Sequence, residues 1–514
     1  MSSSKAFVAD LVNSRLDIHG RGMVPSGVSF GTEEPAVLDA EIARRCQQAA
    51  DLAAEFAADP GAVVRRFRLI LHDASLSADD VQGWIETWKL AFDDPDGFRQ
   101  ALEDPSLGVG DWFGRVRAYL NAPPATSKEH QAVIGQLAER YGLNHDIALQ
   151  ILPGKRQFET LDPGWIPLAF DKVDEEMKRW PEVLEPFRRH EDHRSGFVYE
   201  GSATTDDTRT SRVALFADWG TGYYHSAAIA HQLWNARYPY AFHLGDVYYG
   251  GKQREFDDRW TNLLSPVVEH TRLFGLAENH ELYGKGTAYL RYFDELRAAG
   301  HTDQEGSYFC VRFPKHQIIG IDVNWNGRQS YQDYRCRDWL KARLADGGHR
   351  TNILLTGSAP YCYGSAERMP LLADLWDFVR DGQVHAWFWG DDHYCALFSR
   401  NATLAPFVGS CIGHAGFPGD KQTWGEASWV DPLWIETGAR FPKWTELRQD
   451  RSNAGWVEMN LRDDGGVELL YIDWLGAKRF FVTLARGADG LVPISPREFP
   501  NREQEIPELF VPLP

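Results

Sequence analysis

The feature that most constrains this chain is a series of short apolar runs, each closing on a polar cluster. They read RVALFADWG (212–220), YAFHLGD (240–246), RLFGLAENH (272–280), HQIIGID (316–322), TNILLTGSAP (351–360) and VHAWFWGDDH (384–393). Runs of this length, rich in β-branched and aromatic residues and bounded by turn formers, are strand signals. Helical patterns such as SAAIAHQLWNARY (226–238) and DYRCRDWLKARLA (333–345) lie between several of them. Strands alternating with helices predict a layered α/β fold. In open α/β sheets ligands bind beyond the carboxyl ends of the strands, and here those ends carry the polar residues.

The strand ends supply Asp218, Asp246, Tyr249, Asn279, His280, Asp391, Asp392 and His393. Carboxylates, an amide oxygen, imidazoles and a phenol make a metal-site inventory. A single aspartate at a strand end is commonly a turn former or helix cap, so the weight falls on the repetition at successive strands. Tyr249 has a plain alternative as an aromatic packing on the sheet, and Asp392 as a solvated turn residue. Trp219, Tyr223, Tyr224, Tyr248, Tyr361, Tyr363 and Tyr394 either line an aromatic pocket or pack as ordinary core. His243 and His385 sit inside apolar runs and are expected as satisfied core histidines, with His225 and His414 weaker candidates for chemistry. Gly220-Thr221-Gly222 precedes a helix but lacks the lysine of a phosphate-binding P-loop. No G-x-S-x-G elbow surrounds Ser358, which disfavours a serine hydrolase.

The remainder of the chain reads differently. Residues 1–194 are expected as a helical accessory domain, with a clear pattern over 37–58 stopped by Asp59-Pro60-Gly61. It has no metal or nucleophile pattern and offers an oligomerisation surface or a lid. Residues 195–485 form the expected catalytic body, ending in antiparallel strands over 455–484 with a hairpin turn at Asp463–Gly466. Residues 486–514 are expected as a Pro-rich extended tail. With Lys+Arg 54 and Asp+Glu 73, the net charge of −19 and the lack of a basic run disfavour long nucleic acids as partners. No apolar run approaches the ~18 residues of a membrane span. The N-terminus has no apolar secretory core, and six cysteines without a C-x-x-C pair suggest no disulfide scaffold, so a cytoplasmic protein is expected.

From about 210 to 480 the sequence resembles the calcineurin-like metallophosphoesterases, and within them the purple acid phosphatase branch. The resemblance rests on Asp218-Trp219-Gly220, Gly245-Asp246-Val247-Tyr248-Tyr249, Glu278-Asn279-His280-Glu281, Gly357-Ser358-Ala359-Pro360 and Gly390-Asp391-Asp392-His393, in that order. It implies a metallophosphoesterase-type layered β-sandwich flanked by helices, with two adjacent metals bridged by one carboxylate. Carried over, Asp218, Asp246, Tyr249 and His393 would hold the first metal. A phenolate ligand implies a strongly polarising cation, so ferric iron is the implied occupant.

At the second metal the sequence departs from that family. Asp246 and Asn279 remain, but Ser358 stands where a strand-end histidine belongs and Asp391 replaces the first histidine of G-H-x-H. The remaining donors are oxygens, with Ser358 and Asp392 as additional candidates. A second divalent ion such as Mn, Mg or Zn is expected to be weakly held or absent, the oxygen set favouring the harder ions. His280, intact, is implied as the catalytic residue that assists the departing oxygen or binds the phosphate. Glu278 replaces the usual glycine and adds negative charge unless it points away or pairs with a base. Arg368 is a candidate substrate-binding residue from position alone. The expected reaction is hydrolysis of a small phosphoester by metal-activated hydroxide. The alternatives are an iron enzyme of other, oxidative chemistry on this scaffold, or a degenerate binding or regulatory member.

Overall fold

The computed structural model describes residues 53–70, positions 78 and 82, and most of 187–499; within that last stretch, 202–210, 223, 249, 326–335, 418, 439–451, 475 and 489 are outside the described residues. The chain divides into two compact units, 1–182 with 512–514, and 183–511. In the first unit, helix at 53–58 breaks at Asp59, and a new helix runs Pro60–Ile70. Proline tolerates the first helical turn because its missing N–H needs no partner there. Asp59 caps the new helix by accepting the Ala62 N–H at 2.9 Å. The remaining helical expectations for 1–186, including an oligomerisation surface, lie outside the described residues.

The second unit contains two sheets. In chain order the strands are β1 (Val198–Glu200), β2 (Ser211–Phe216), β3 (Tyr240–His243), β4 (Arg272–Gly275), β5 (Phe309–Arg312), β6 (His316–Gly320), β7 (Thr351–Thr356), β8 (Ala386–Trp389), β9 (Cys395–Phe398), β10 (Val408–Ile412), β11 (Pro432–Ile435), β12 (Gly455–Leu461), β13 (Val467–Asp473), β14 (Lys478–Gly487) and β15 (Gly490–Glu498). One sheet has the order β1-β5-β6-β7-β8-β10-β9-β11, the other β15-β14-β13-β12-β2-β3-β4. β2, β3 and β4 run parallel, as do β6, β7, β8 and β10. Helices Tyr224–Ala236, Thr287–Ala298 and Arg337–Asp346 fall between strands.

The burial patterns follow from this layering. Every residue of β6, β7, β8 and β10 is buried, as expected for strands covered on both faces. β13 alternates buried and half-buried positions, so one face meets the core. Leu215, Phe242, Phe274, Val457 and Leu469 of one sheet join Ile318, Ile353, Leu355 and Phe388 of the other in one apolar core. The expected α/β sandwich with flanking helices is therefore present.

The antiparallel strands expected near the C-terminus are β12–β14, and the turn after β12 uses Gly465 at φ 83° with Asp464 accepting the Gly466 N–H at 2.8 Å. Within 486–514, expected as an extended tail that drapes over the body, Gly490–Glu498 is β15, an edge strand paired antiparallel with β14. Its prolines are tolerated because an edge strand leaves one row of N–H groups unpaired, and the pairing slips around Ser495-Pro496. Among the described residues no helix is long and apolar enough to cross a membrane.

Candidate metal centre

The parallel strands β2, β3, β4, β7 and β8 all end on one side of the fold, and each hands over to a turn carrying polar residues. Asp218, Asp246 and Asp391 occupy left-handed backbone conformations, with φ of 55°, 80° and 65°. Such conformations are strained for residues with a Cβ, and three of them at neighbouring strand ends mark a site held by its surroundings. Gly245, at φ 114°, lies so close to the β4 turn that a Cβ would meet the Cβ of Glu278 at 2.5 Å.

Asp218, Asp246 and His393 each offer a ligand atom, all within 4.8 Å of one another. His393 Nε2 is 3.3 Å from Asp218 Oδ1. The hydroxyl of Tyr248 stands among them, 2.7 Å from Asp218 Oδ1, 3.0 Å from Asp246 Oδ2 and 3.1 Å from His393 Nε2. Phe417 stacks on the His393 ring at 3.6 Å between centroids. Arg259 donates to the Tyr248 carbonyl and so pins this turn. Tyr249, the expected phenol ligand, lies outside the described residues. The phenol that the structure brings to the carboxylates is its neighbour.

The electrostatics are those of a site lacking a counter-charge. Burial pushes the Asp218 carboxyl up, but His393 and the Tyr248 hydroxyl outweigh it and hold this acid below its usual range. Asp246 is pushed well above that range by burial and by the charges of Asp218, Glu281, Glu278 and Asp391. The Tyr248 phenol is raised well above its ordinary value by burial and the same two aspartates. A cation at the trio would reverse this logic, favouring both carboxylates and, if charged enough, a phenolate. The donor set of two carboxylates, an imidazole and a phenol fits a transition metal, so the first site fits the group implied by the resemblance.

The second half of the site is arranged by the helix Asn279–Tyr283. Asn279 donates through Nδ2 to the Tyr283 hydroxyl at 2.7 Å, and its Oδ1 is buried without a hydrogen-bond partner. His280 is buried, its ring 4.3 Å from that of Tyr248 and 5.0 Å from that of Tyr283, and its N–H reaches Asp246 Oδ1 at 3.4 Å. Glu281 Oε2 accepts the N–H groups of Glu278 at 2.8 Å and Asp246 at 3.1 Å, joining two ligand-bearing turns. Burial, partly offset by these donors, raises its carboxyl to about 7. Glu278 does not face a base: it is buried, and accepts from the Ser358 hydroxyl at 2.8 Å and from Asn324 Nδ2. The two imidazoles of the resembled family are absent here, with Ser358 and Asp391 in their places, so this half does not fit the family's nitrogen-rich second site.

Other sequence candidates fall in place around it. Asp391 is exposed and its N–H donates to Asp218 Oδ2 at 2.9 Å. Asp392 is half-buried, and burial raises its carboxyl to about 6. Arg368 is exposed, its guanidinium 5.9 Å from the Trp376 ring centre and its backbone bridged to Tyr361. Trp219, Tyr361, Tyr363 and Tyr394 are buried, which favours packing over a substrate pocket; Tyr223 and the Tyr224 side chain lie outside the described residues. His243, His385 and His414 are buried, with burial lowering them to about 3, 4 and 4. Glu281, Arg259, Asn324 and Phe417 were missed as site residues, and Tyr248 was weighed as a pocket or packing aromatic rather than as a partner of the carboxylates. Only Glu281 carries a sequence signal, an acid at the third position of a short helix that bonds back to its start.

Residues 211–395 match the family model for the calcineurin-like phosphoesterases. No curated protein matches the chain. Similar solved structures include a purple acid phosphatase from yellow lupin (Lupinus luteus) seeds, 14% identical with TM-score 0.43 over 56% of this chain and 55% of that one. Others are GAP50, described as the anchor in the inner membrane complex of Plasmodium (15% identical, TM-score 0.39, covering 60% and 96%), and PhoD (11% identical, TM-score 0.39, covering 56% and 72%). The likeness thus spans little more than half the length of the lupin protein.

Proposed function

We propose that this chain, whose residues 211–395 match the family model for the calcineurin-like phosphoesterases, is a metal-dependent hydrolase of small phosphoesters. The observation that carries the reading is the trio Asp218, Asp246 and His393, with ligand atoms within 4.8 Å at adjoining strand ends. A cation bound there supplies Lewis acidity, lowering the pKa of a coordinated water and neutralising phosphoryl oxygens. Asp218 and Asp246 hold that cation, His393 completes the set, and Tyr248 supplies the phenol; iron is the occupant we infer from the phenol. His280 is placed on the same helix as Asn279, and its role is to hold or deliver a proton at the leaving oxygen. Glu281 positions two turns at once through its backbone hydrogen bonds. A small substrate accords with an acidic chain that has no basic run to hold a polyanion.

Metal analysis of the purified full chain, followed by aryl-phosphate hydrolysis across added metals, tests this. Bound transition metal with hydrolysis is the expected result. Protein that binds none after exposure to iron, manganese and zinc would overturn the proposal. The missing imidazoles at 358 and 391 favour one second reading, a single-iron enzyme of other chemistry. Iron bound without phosphoester cleavage would select it.

A further inference from the structure

The ring of His393 is held by hydrogen bonds on one side only. Its Nε2 lies 3.1 Å from the Tyr248 hydroxyl and 3.3 Å from Asp218 Oδ1, and among the described residues no hydrogen bond reaches its Nδ1. An imidazole that takes a metal is ordinarily fixed by a carboxylate or carbonyl at its far nitrogen. The His393 side chain is also 29% exposed, so burial does not lock it. What meets its face is Phe417. The two rings lie 3.6 Å apart between centroids and 20° from parallel. The same phenyl ring reaches Tyr248, at 4.8 Å and 45°. One half-buried side chain thus braces both the imidazole and the phenol of the centre.

Phe417 is itself fixed through its backbone. Its segment follows β10 and lies across the two turns that carry Asp218 and His393. The Ala415 N–H donates to the Ala217 carbonyl at 3.2 Å, and the Phe417 N–H to the Asp218 carbonyl at 2.9 Å. The Gly416 carbonyl accepts the Thr221 hydroxyl at 3.4 Å and meets His225 Nε2. A Cβ at Gly416 would stand 2.5 Å from the Trp219 carbonyl oxygen and 2.6 Å from that of Asp218, and a Cβ at Gly419 would overlap the His393 carbonyl. Only glycine allows backbones to approach this closely, so the glycines on either side seat the Phe417 ring on His393. None of these attachments uses the side chain at 417. We propose that Phe417 is a positioning residue for the first metal: its ring holds the His393 imidazole toward Asp218 and Asp246 in place of a hydrogen bond at Nδ1. A ring set in advance gives up less rotational freedom when the cation binds. The inference rests on the metal-dependent reading above and deepens it, since Phe417 adds no ligand and acts through one.

The test is a calorimetric titration of the full chain, stripped by chelator, with Co2+, whose visible absorption also reports how its ligands are arranged. Phe417→Leu keeps an apolar side chain and loses the flat face; Phe417→Met repeats the test should the leucine variant not fold. Either is expected to weaken Co2+ binding by about 10–100-fold, the usual cost of losing a residue that orients a metal-bound histidine. The Co2+ absorption should shift, while the metal-free melting temperature stays close to that of the wild type. Phe417→Tyr, which retains the ring, should bind as the wild type does. In a His393→Gln background Phe417→Leu should cost no further affinity, because the ring it braces is gone. Unchanged affinity in Phe417→Leu and Phe417→Met overturns the proposal. So does an equal loss with and without His393, or a loss as large in Phe417→Tyr as in Phe417→Leu. Wild type that binds neither Co2+ nor iron, manganese or zinc overturns the metal-dependent reading itself, a failure told apart because no substitution is involved.

Discussion

Two buried ionic groups in the second unit invite comparison. Glu436, just past β11, and Arg479 of β14 are 3% and 6% exposed and meet as a two-pronged pair at 2.7 and 2.9 Å. Asp218, Asp246, Glu278 and Glu281 are buried to a similar degree, and His393, which meets Asp218 at 3.3 Å, is partly exposed. In the first pair each charge meets its opposite directly. The second gathers acids without a matching set of bases among the ion pairs of the described residues, and burial first, then the neighbouring acids, push Asp246 and Glu278 well above their usual range. A closed pair serves a fold, whereas an open one is completed by something from outside.

The comparison is broken most decisively at Asp246. Asp246→Asn is expected to lower affinity at the first metal by 100-fold or more while the metal-free protein keeps or gains thermal stability; calorimetric titration and melting curves read both. Next, Arg479→Ala should destabilise the fold by about 3–5 kcal/mol, because it strands Glu436 in the core. Denaturant unfolding measures it, and adding Glu436→Leu should recover much of the loss.

A third test uses pH. Glu281 is raised from 4.5 to about 7 in the folded state, so between those values the folded chain retains a proton that the unfolded chain has released. The contribution of Glu281 to stability then falls as pH rises, while the buried His243, His385 and His414, lowered to about 3, 4 and 4, add a slope of opposite sign. The comparison with Glu281→Gln isolates the acid: between pH 5 and pH 7 metal-free wild type should lose melting temperature relative to that variant, and saturating metal should shrink the difference. Equal pH profiles for the two metal-free proteins would contradict the open-cluster picture. A fourth, smaller effect concerns colour. If iron gives a visible charge-transfer band, Tyr248→Phe should remove it; a band that survives and disappears in Tyr249→Phe would return the ligand role to Tyr249. The smallest is Tyr283→Phe, which frees the Asn279 amide and should weaken metal binding by about 1 kcal/mol, roughly fivefold.

Much of this was legible in the chain because strand ends combine two local signals, an apolar run and a polar stop. Asp218, Asp246, Asn279 and His393 could be marked that way, and the loss of histidine at 358 and 391 is visible by inspection. The choice between Tyr248 and Tyr249 was not legible. Adjacent residues in a turn point in different directions, and the turn here depends on Gly220 bridging to Val247 and on Arg259 from a later helical segment. Glu278 was read as adding negative charge to the pocket unless it pointed away or met a base. Its actual partners, Ser358 and Asn324, are 80 and 46 residues away. β15 was hidden by its prolines, which only an edge position tolerates.

By itself the sequence determined the order of strands and helices, the inventory of oxygen and imidazole groups, and the excess of acid over base. Those properties follow from local periodicity and from counting. The tertiary structure alone decided which carboxylates would share one small volume. It also decided which of them Arg479 would neutralise and which would stay uncompensated, since charge pairing depends on distances across two sheets that no local pattern records.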